Sequence, residues 1–549
     1  MGTRRATLIA CLAILVHHGS MKGLHSLLAG APPEQPVCCG AGPVGIKTSP
    51  PDSHERQATS TWILPRLKPA ALRQLRLPDI RITSAMHHEA NKAVNVDNAG
   101  RRLGPIGVAH ADVEGLIGGT IRFELLLPDE WNGRFVMGGG GGFVGRVSNF
   151  ARYSINEGYA TVGTDTGHQW PSGTKAGWAL DNVEAQVNFG HVAIHRTAEV
   201  AKAIISAYYA SEPEYSYFSG CSTGGGQALI EAQRYPDDFD GIISAAPVVS
   251  HTGLAAARVY NAQHFFPDRN KLNKPLISQQ LLQRLHDEVL RKCDEQDGVK
   301  DGILDDPRMC RFDLSEFQGL TPAQREALQA LYDGPRNTNG QIYPGMPLGS
   351  EGRWHLWKAG SIPGFLARDK APNPGFALGI GFGKYFIFND PDWDYSTYDF
   401  SSWQKDARLA ATFLNADNPN LSKFKSSGGK LILWHGWSDG PLTPLASINY
   451  FEEVEQRDPD VRDYFRMYLL PGVTHCRGGT GPDEVDWLAI MVQWAEEGKA
   501  PHRLIASKLD KDGQVTMTRP LYPYPLRAVY KGNGDTNKAA NFLLPKKGA

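Results

Sequence analysis

The sequence predicts an α/β fold in which a mainly parallel β-sheet is interrupted by one large insertion. Short apolar strands alternate with helical patterns up to residue 247, and this alternation is typical of parallel sheets flanked by helices. The alternation fades over residues 248–429 and returns with a buried strand at 430–434. A chain of 549 residues is long enough to form both a core domain and an inserted one.

The individual elements follow from local patterns. A helix is predicted over residues 191–209, because Val200, Ala201, Ile204 and Tyr208 fall on one face at helical spacing. The strands are short runs of apolar and β-branched residues, most of them bounded by turn-forming residues. They are predicted at 80–82, 108–113, 121–127, 131–137, 159–162, 215–218, 239–246, 430–434 and 464–470.

The motif Gly-Cys-Ser-Thr-Gly-Gly at residues 220–225 lies between a predicted strand and a helix predicted over 227–234. A strand, a sharp turn and a helix are the context of a nucleophile elbow, in which the serine oxygen stands exposed above the sheet. Ser222 is therefore the candidate nucleophile. The alternative interpretation is a buried structural serine in a tight turn.

A second Gly-x-Ser-x-Gly occurs at residues 436–440, centred on Ser438. Ser222 is preceded by a cysteine whose counterpart follows a histidine downstream, whereas Ser438 has no such neighbour. Pro441 and Pro444 follow Ser438 and are expected to break the helix that an elbow requires. Both observations favour Ser222 as the nucleophile.

Ser222, Asp439 and His475 follow one another along the chain in the order nucleophile, acid and histidine that α/β-hydrolases use. Asp439 and His475 each follow a predicted strand, so both are expected at strand ends. The sequence therefore predicts an α/β-hydrolase core with a mainly parallel sheet and a large inserted lid domain. His435 is a rival base, and it is disfavoured because it would share one turn with Asp439.

The predicted strand at 131–137 runs into five consecutive glycines, 138–142. Glycine lets a backbone approach a ligand closely, and in this fold the loop at this place offers an oxyanion N–H. We therefore expect the amide of Thr223 and that of Gly141 or Gly142 to form the oxyanion hole. The alternative for the glycines is a flexible turn.

The N-terminus has the pattern of an export signal. Arg4 and Arg5 precede an apolar run at 6–16, which is typical of a signal and too short to span a membrane. No second apolar run of spanning length is present. The protein is therefore expected to be secreted or periplasmic, where cysteines normally pair.

The seven cysteines are interpreted in that light. If His475 serves Ser222, their neighbours Cys476 and Cys221 must lie close, and a disulfide between them is expected. Cys293 and Cys310 form the second expected pair. Cys11 would leave with the signal, whereas Cys38 and Cys39 are not assigned. A zinc site is the rival interpretation, but no Cys-x2-Cys unit pairs with a second one.

An acidic loop follows Cys293 within the insertion. It carries three aspartates and two glycines over residues 294–305, although not at EF-hand spacing. Calcium prefers carboxylate and carbonyl oxygens, which predicts a structural calcium site, the alternative being a solvated acidic turn. The expected ligands are Asp294, Asp297, Val299, Asp301 and Ile303.

The balance of charge limits the possible partners. The formal net charge is −1, and 21% of residues are charged, so neither nucleic acid nor an anionic membrane is an expected partner. The insertion is rich in aromatic residues. An insertion between nucleophile and acid is a candidate active-site lid, whose aromatic residues are expected to form mostly its own core.

Taken together, these motifs resemble the tannase and feruloyl esterase family, which includes the mono(2-hydroxyethyl) terephthalate hydrolases. The resemblance rests on the elbow with its preceding cysteine, Gly-Trp-Ser-Asp at 436–439, Thr-His-Cys-Arg-Gly-Gly at 474–479, the aspartate loop and residues 233–241. It extends over residues 75–494. It implies the Ser222–His475–Asp439 triad, the Cys221–Cys476 disulfide and calcium in the lid. Family members often carry further disulfides, for which this chain lacks cysteines.

The resemblance implies a serine esterase that cleaves esters of aromatic acids, such as feruloyl or galloyl esters, through an acyl-enzyme. One alternative is a hydrolase of terephthalate or phthalate monoesters, for which Arg368 or Lys384 could bind the free carboxylate. An alternative of another class is a non-catalytic, calcium-dependent binding protein. The expected segments are an export signal at 1–31, a linker at 32–60, core at 61–248, lid at 249–427 and core again at 428–549.

Overall fold

A computed structural model describes residues 62–91, 95–96, 102–103 and 106–544 of the chain. The export signal and linker predicted for residues 1–60, with Cys11, Cys38 and Cys39, lie outside the described residues. Within the described part, no helix has both the length and the apolar character that crossing a membrane requires.

A nine-stranded sheet forms the centre of the fold. Its strands are β1 (Ile80–His88), β2 (His110–Ile117), β3 (Ile121–Pro128), β4 (Arg134–Gly138), β5 (Ala160–Thr164), β6 (Tyr215–Cys221), β7 (Gly241–Ala245), β8 (Lys430–Gly436) and β9 (Phe465–Leu470). Their order across the sheet is β1-β2-β3-β5-β4-β6-β7-β8-β9. Following this order, the first three neighbouring pairs, from β1 through β2 and β3 to β5, are antiparallel. The remaining five pairs, from β5 through β4 to β9, are parallel. The predicted α/β-hydrolase fold is confirmed.

Helices cover the sheet and build the insertion. Those of nine residues or more in the described chain are α1 (Ala193–Tyr209), α2 (Thr223–Arg234), α3 (His251–Phe265), α4 (Gln279–Cys293), α5 (Pro322–Asp333), α6 (Pro374–Phe382), α7 (Pro444–Arg457) and α8 (Trp487–Glu497). Shorter helices are Pro69–Leu72, Val183–Val187, Pro363–Asp369, Trp403–Asp406, Arg408–Leu414 and Ser422–Ser426. Separate strand pairs are Asn95–Val96 with Arg102–Leu103, Arg336–Asn337 with Gly340–Gln341, Leu504–Leu509 with Val515–Leu521, and Val529–Tyr530 with Phe542–Leu543.

The core packs on both faces of the sheet. The predicted apolar face of α1 is buried, including Ala201, Ile204 and Tyr208. Met491 and Trp494 of α8 are buried in the same cluster as Ile243 of β7. Every residue of β7 is buried, as expected for a central parallel strand covered by helices on both sides.

Residues 246–429 lie between β7 and β8 and contain α3 to α6. They bury most of a second hydrophobic cluster, which includes Trp354, Phe376 and Trp403. Phe143, from a loop of the core, and Phe189, from the short helical segment Asn188–Val192, join this cluster. The insertion is therefore anchored beside the ends of the parallel strands, where catalytic groups of this fold lie.

Candidate active site

The elbow around Ser222 is formed by the junction of β6 and α2. Ser222 has φ 65° and ψ −121°, a conformation that is strained for a residue with a side chain. Its amide donates to the Ala245 carbonyl at 3.0 Å, and its carbonyl accepts from the Val248 amide at 3.0 Å. The end of β7 and the chain after it therefore hold the strained turn. The helix begins directly at Thr223, four residues earlier than predicted.

The glycines of the motif are required by close packing. A Cβ on Gly220 would lie 2.4 Å from the carbonyl oxygen of Gly224, well inside van der Waals contact. The strand and the helix cross so closely that only glycine fits there. This steric requirement is the physical reason for the Gly-x-Ser-x-Gly spacing.

Asp439 and His475 lie at the ends of two neighbouring parallel strands, β8 and β9. The Nδ1–H of His475 donates to Oδ2 of Asp439 at 2.7 Å, and the Leu442 amide donates to Oδ1 at 2.8 Å. Burial alone would raise the pKa of Asp439, but the charges and hydrogen bonds of His475 and His435 outweigh it and lower the pKa. The carboxylate therefore stays ionised and holds the imidazole in one orientation.

His435 has a role that the sequence did not reveal. Its Nε2–H donates to Oδ2 of Asp439 at 3.1 Å, and its Nδ1 lies 2.9 Å from Oγ of Ser447. His435 is fully buried and does not line the cavity that Ser222 and His475 share. It therefore holds the Asp439 carboxylate through a hydrogen bond without lining the cavity. The spacing of four residues between His435 and Asp439 is the signal that could have suggested this contact.

The structure contains both expected disulfides. Cys221 bonds to Cys476 with a Cα–Cα distance of 6.0 Å, and Cys293 bonds to Cys310. The first bond links the residue before Ser222 to the residue after His475. Among the described residues, Cys221, His475 and Cys476 are the one group with the spacing of metal ligands, but the disulfide leaves no thiolate there.

The second Gly-x-Ser-x-Gly is part of the acid turn. The Ser438 amide donates to the Val473 carbonyl at 3.0 Å, and Ser438 does not line the cavity. The expectation that Pro444 breaks the following helix is wrong, because Pro444 begins α7. Proline is favoured in the first helical turn, where its missing N–H costs no bond. The separation of the two motifs therefore rests on the strand-to-helix geometry and not on the prolines.

A cavity of about 370 Å³ opens beside Ser222. Ser222, Thr223 and His475 line it together with apolar and aromatic side chains. One face of α3 supplies His251, Leu254, Ala255 and Arg258, at the spacing i, i+3, i+4, i+7. Of the Phe, Tyr and Trp residues of the insertion, Trp357 and Phe382 line the cavity.

The glycine string presents two amides to this cavity. The amides of Gly139 and Gly140 are occupied, by the Ser219 carbonyl at 2.9 Å and by Oε1 of Gln227 at 3.1 Å. The amides of Gly141 and Gly142 bond to no described residue, and both glycines line the cavity. Gly142 has φ 57°, and a Cβ there would lie 2.5 Å from the Gly173 carbonyl oxygen. Oγ1 of Thr223 donates to the Gly142 carbonyl at 2.8 Å and ties this loop to the elbow.

The two cations considered for a substrate carboxylate differ in position. Arg368 lines the cavity and pairs with Asp369 at 2.7 Å. Lys384 donates to the Pro391 carbonyl at 2.6 Å and does not line the cavity. Of the two, only Arg368 is available to a substrate bound beside Ser222.

The acidic loop has the donor set that calcium prefers. Asp294 accepts from the Gly302 amide at 3.0 Å, and Asp297 accepts from the Val299 amide at 3.0 Å. These bonds order residues 294–303, which the Cys293–Cys310 disulfide flanks, but the three carboxylates do not have the close mutual spacing of ligands around one ion. Arg519 pairs with Asp301 from outside the loop. The residues fit a calcium ion in ligand chemistry.

Comparison with known proteins agrees with this geometry. The family model of tannase and feruloyl esterase matches residues 107–544. The chain belongs to this family. It is a carboxylic ester hydrolase of the tannase and feruloyl esterase type.

Individual relatives and one solved structure share most of the chain. A probable feruloyl esterase of Arthroderma benhamiae is 34% identical, over 77% of this chain and 82% of the relative. The mono(2-hydroxyethyl) terephthalate hydrolase of Piscinibacter sakaiensis is 30% identical, over 77% and 81%. The crystal structure of feruloyl esterase B from Aspergillus oryzae superposes with a TM-score of 0.76 and 25% identity, covering 87% of this chain and 99% of that one.

Proposed function

We propose that this esterase cleaves esters of aromatic acids through an acyl-enzyme on Ser222. The observation that carries the proposal is one cavity in which Ser222 and His475 meet aromatic and apolar walls. Phe143, Trp357 and Phe382 are the aromatic walls on which the proposal rests. Flat aromatic rings favour contact with other rings, so an aromatic acyl group fits this cavity better than a short alkyl one.

In the proposed mechanism, His475 takes the proton of Ser222 as the serine oxygen attacks the ester carbonyl. Asp439 holds the ring through Nδ1 and stabilises the imidazolium that forms. The protonated His475 then gives its proton to the leaving alcohol. Water repeats the cycle on the acyl-enzyme and releases the acid.

The oxyanion of each tetrahedral intermediate would be held by the amide of Thr223 and by that of Gly141 or Gly142. Both glycine amides lack a partner among the described residues and border the cavity. One such donor typically lowers the barrier by about 3 kcal/mol. The Thr223 side chain supports this arrangement, because it bonds the Gly142 carbonyl from the elbow.

The acyl group is proposed to be a hydroxycinnamoyl or galloyl group, as the names of the feruloyl esterase relatives suggest. The alternative is a terephthalate or phthalate monoester. It is supported by Arg368 in the cavity wall and by the named activity of one relative. A non-catalytic binding role would leave the strained Ser222 and the bonded Asp439–His475 pair without a function.

Steady-state hydrolysis of four esters tests the proposal: methyl ferulate, methyl gallate, the terephthalate monoester and a plain acetyl ester. We expect the highest kcat/KM on one of the first two and no measurable turnover by Ser222→Ala. Preference for the terephthalate monoester would select the alternative. Equal rates on all four esters would contradict an aromatic acyl site.

We also propose that residues 294–303 bind one calcium ion in a structural role, through Asp294, Asp297, Val299, Asp301 and Ile303. Bound there, the ion would neutralise carboxylates and stiffen the lid beside the Cys293–Cys310 disulfide.

The two disulfides support a secreted or periplasmic location, because such bonds persist in oxidising compartments.

A further inference from the structure

His251 is a cavity residue that the mechanism does not use. It is the first residue of α3 and lies three residues beyond Val248, whose amide bonds the Ser222 carbonyl at 3.0 Å. Three residues span at most about 10 Å. The Cα atom of His251 therefore lies at most about 10 Å from that of Val248, and His251 borders the same cavity as Ser222.

The protein fixes which ring nitrogen of His251 carries the proton. Nδ1 lies 3.0 Å from the Leu414 carbonyl oxygen, and a carbonyl can only accept, so Nδ1 must be the N–H. Burial lowers the pKa of His251 to about 4, the Leu414 bond partly opposes this, and Arg258 lowers it further. The ring is therefore neutral at pH 7, and Nε2 carries a lone pair.

Nε2 is the ring nitrogen of His251 that the protein leaves available to a ligand. In the part of the chain that the structure describes, no group bonds to it. Phe382 stacks on the ring with centroids 6.2 Å apart, and Phe189 meets it edge-on at 5.8 Å. These neighbours hold the ring plane without offering Nε2 a donor. An acceptor that borders the cavity and has no partner in the described protein is available to a donor that the ligand brings.

We propose that Nε2 of His251 accepts a hydrogen bond from a hydroxyl group on the aromatic ring of the acyl part of the substrate. This inference rests on the proposed function and sharpens it, because it selects phenolic acids. A carboxylate at the same place would meet a lone pair instead of a donor. The charged side chains that line the same cavity as His251 are Arg146, Lys175, Arg258, Arg368 and Asp369.

Three esters that differ only in ring substituents test the proposal. They are methyl 3,4-dihydroxycinnamate, its 3,4-dimethoxy counterpart, which cannot donate, and methyl cinnamate, which has no ring oxygen. We expect the wild-type enzyme to prefer the dihydroxy ester by about tenfold in kcat/KM over each of the others, the size of one good hydrogen bond. In His251→Phe the preference should fall to about twofold or less.

His264→Phe is the matched control. His264 lies on the same helix and also places Nδ1 on a backbone carbonyl, that of Tyr260 at 2.8 Å, but it does not line the cavity. Its variant should keep the wild-type preference. If His251→Phe fails to fold in a thermal melt, His251→Met replaces it, because a flexible thioether fills similar space with only a weak acceptor.

The outcomes separate this inference from the proposed function. Turnover of all three esters without preference, or a preference that survives in the folded His251 variant, overturns the role of His251 and leaves the esterase proposal intact. No turnover of any aromatic ester overturns both. A preference that is lost in the His251 variant and kept in His264→Phe supports the inference.

Discussion

Removal of the Cys221–Cys476 disulfide is expected to affect stability and activity together. This bond joins residues 255 positions apart, whereas Cys293 and Cys310 are 17 apart. A disulfide stabilises mainly by restricting the unfolded chain, and the effect grows with the logarithm of the loop length. The chain-entropy relation gives about 5.5 kcal/mol for the longer loop and about 3 kcal/mol for the shorter one.

The two bonds should differ more in activity than in stability. Cys221 and Cys476 directly flank Ser222 and His475 in sequence, so their bond fixes the distance between the elbow and the histidine loop. A misplacement of about 1 Å in such a pair can reduce the rate about 100-fold. We expect Cys221→Ala/Cys476→Ala to lose kcat by roughly 10- to 100-fold, with KM changing less.

Cys293→Ala/Cys310→Ala is the matched control, because it removes the same chemical bond from the insertion. Urea unfolding and steady-state hydrolysis of methyl ferulate would be measured for both double variants at a temperature where each stays folded. The control should lose stability and keep most of its kcat. Equal kcat values for the two folded variants would refute the argument that the first disulfide positions the reacting groups.

Three further predictions concern buried groups around the site. His435→Phe should lower kcat by about tenfold or more with little change in KM, since it removes one hydrogen bond to the Asp439 carboxylate; unchanged kcat in a folded variant would contradict this. Lys358 is buried and donates to the Pro441 carbonyl at 3.3 Å, and burial, with Arg258 adding to it and Asp439 opposing, lowers its pKa to about 7 from the usual 10.5. Between those two pH values the unfolded chain holds a proton that the folded chain lacks, so the stability of the protein rises with pH there. Lys358→Met should therefore raise Tm more at pH 6 than at pH 10, and an equal gain at both would contradict the buried-charge explanation. Calcium at about 1 mM, a concentration typical for extracellular modules, should raise Tm of the wild-type protein but not of Asp297→Asn, and equal shifts in both would count against the loop as the site.

The fold could be predicted because its signals are local. The apolar face of α1 and the short central strands follow from local sequence patterns alone. In the structure, the predicted strands form the central sheet and the predicted helix is α1. The elbow at Ser222 was also predictable, since a strand, small residues and a helix follow one another in sequence. The boundaries were less accurate, because α2 begins at Thr223, directly after the strained Ser222, whose side chain makes no capping hydrogen bond.

The missed parts depend on contacts between distant segments. His435 was set aside as a rival base, yet it bonds to Asp439 and does not line the cavity. His251 was not singled out at all, because its role depends on the Leu414 carbonyl, which lies 163 residues away in sequence. Pro444 was misinterpreted, because proline disrupts the interior of a helix but is favoured in its first turn, and the sequence does not say which position it takes.

The most direct test of the account is covalent labelling by a fluorophosphonate, followed by peptide mapping. Such a reagent reacts with a serine that an adjacent base activates. We predict one adduct, on Ser222, that is absent in Ser222→Ala and forms far more slowly in His475→Ala. Ser438→Ala, which alters the second copy of the motif, should label like the wild-type protein. An adduct on Ser438, or labelling that persists in Ser222→Ala, would contradict the assignment of the nucleophile.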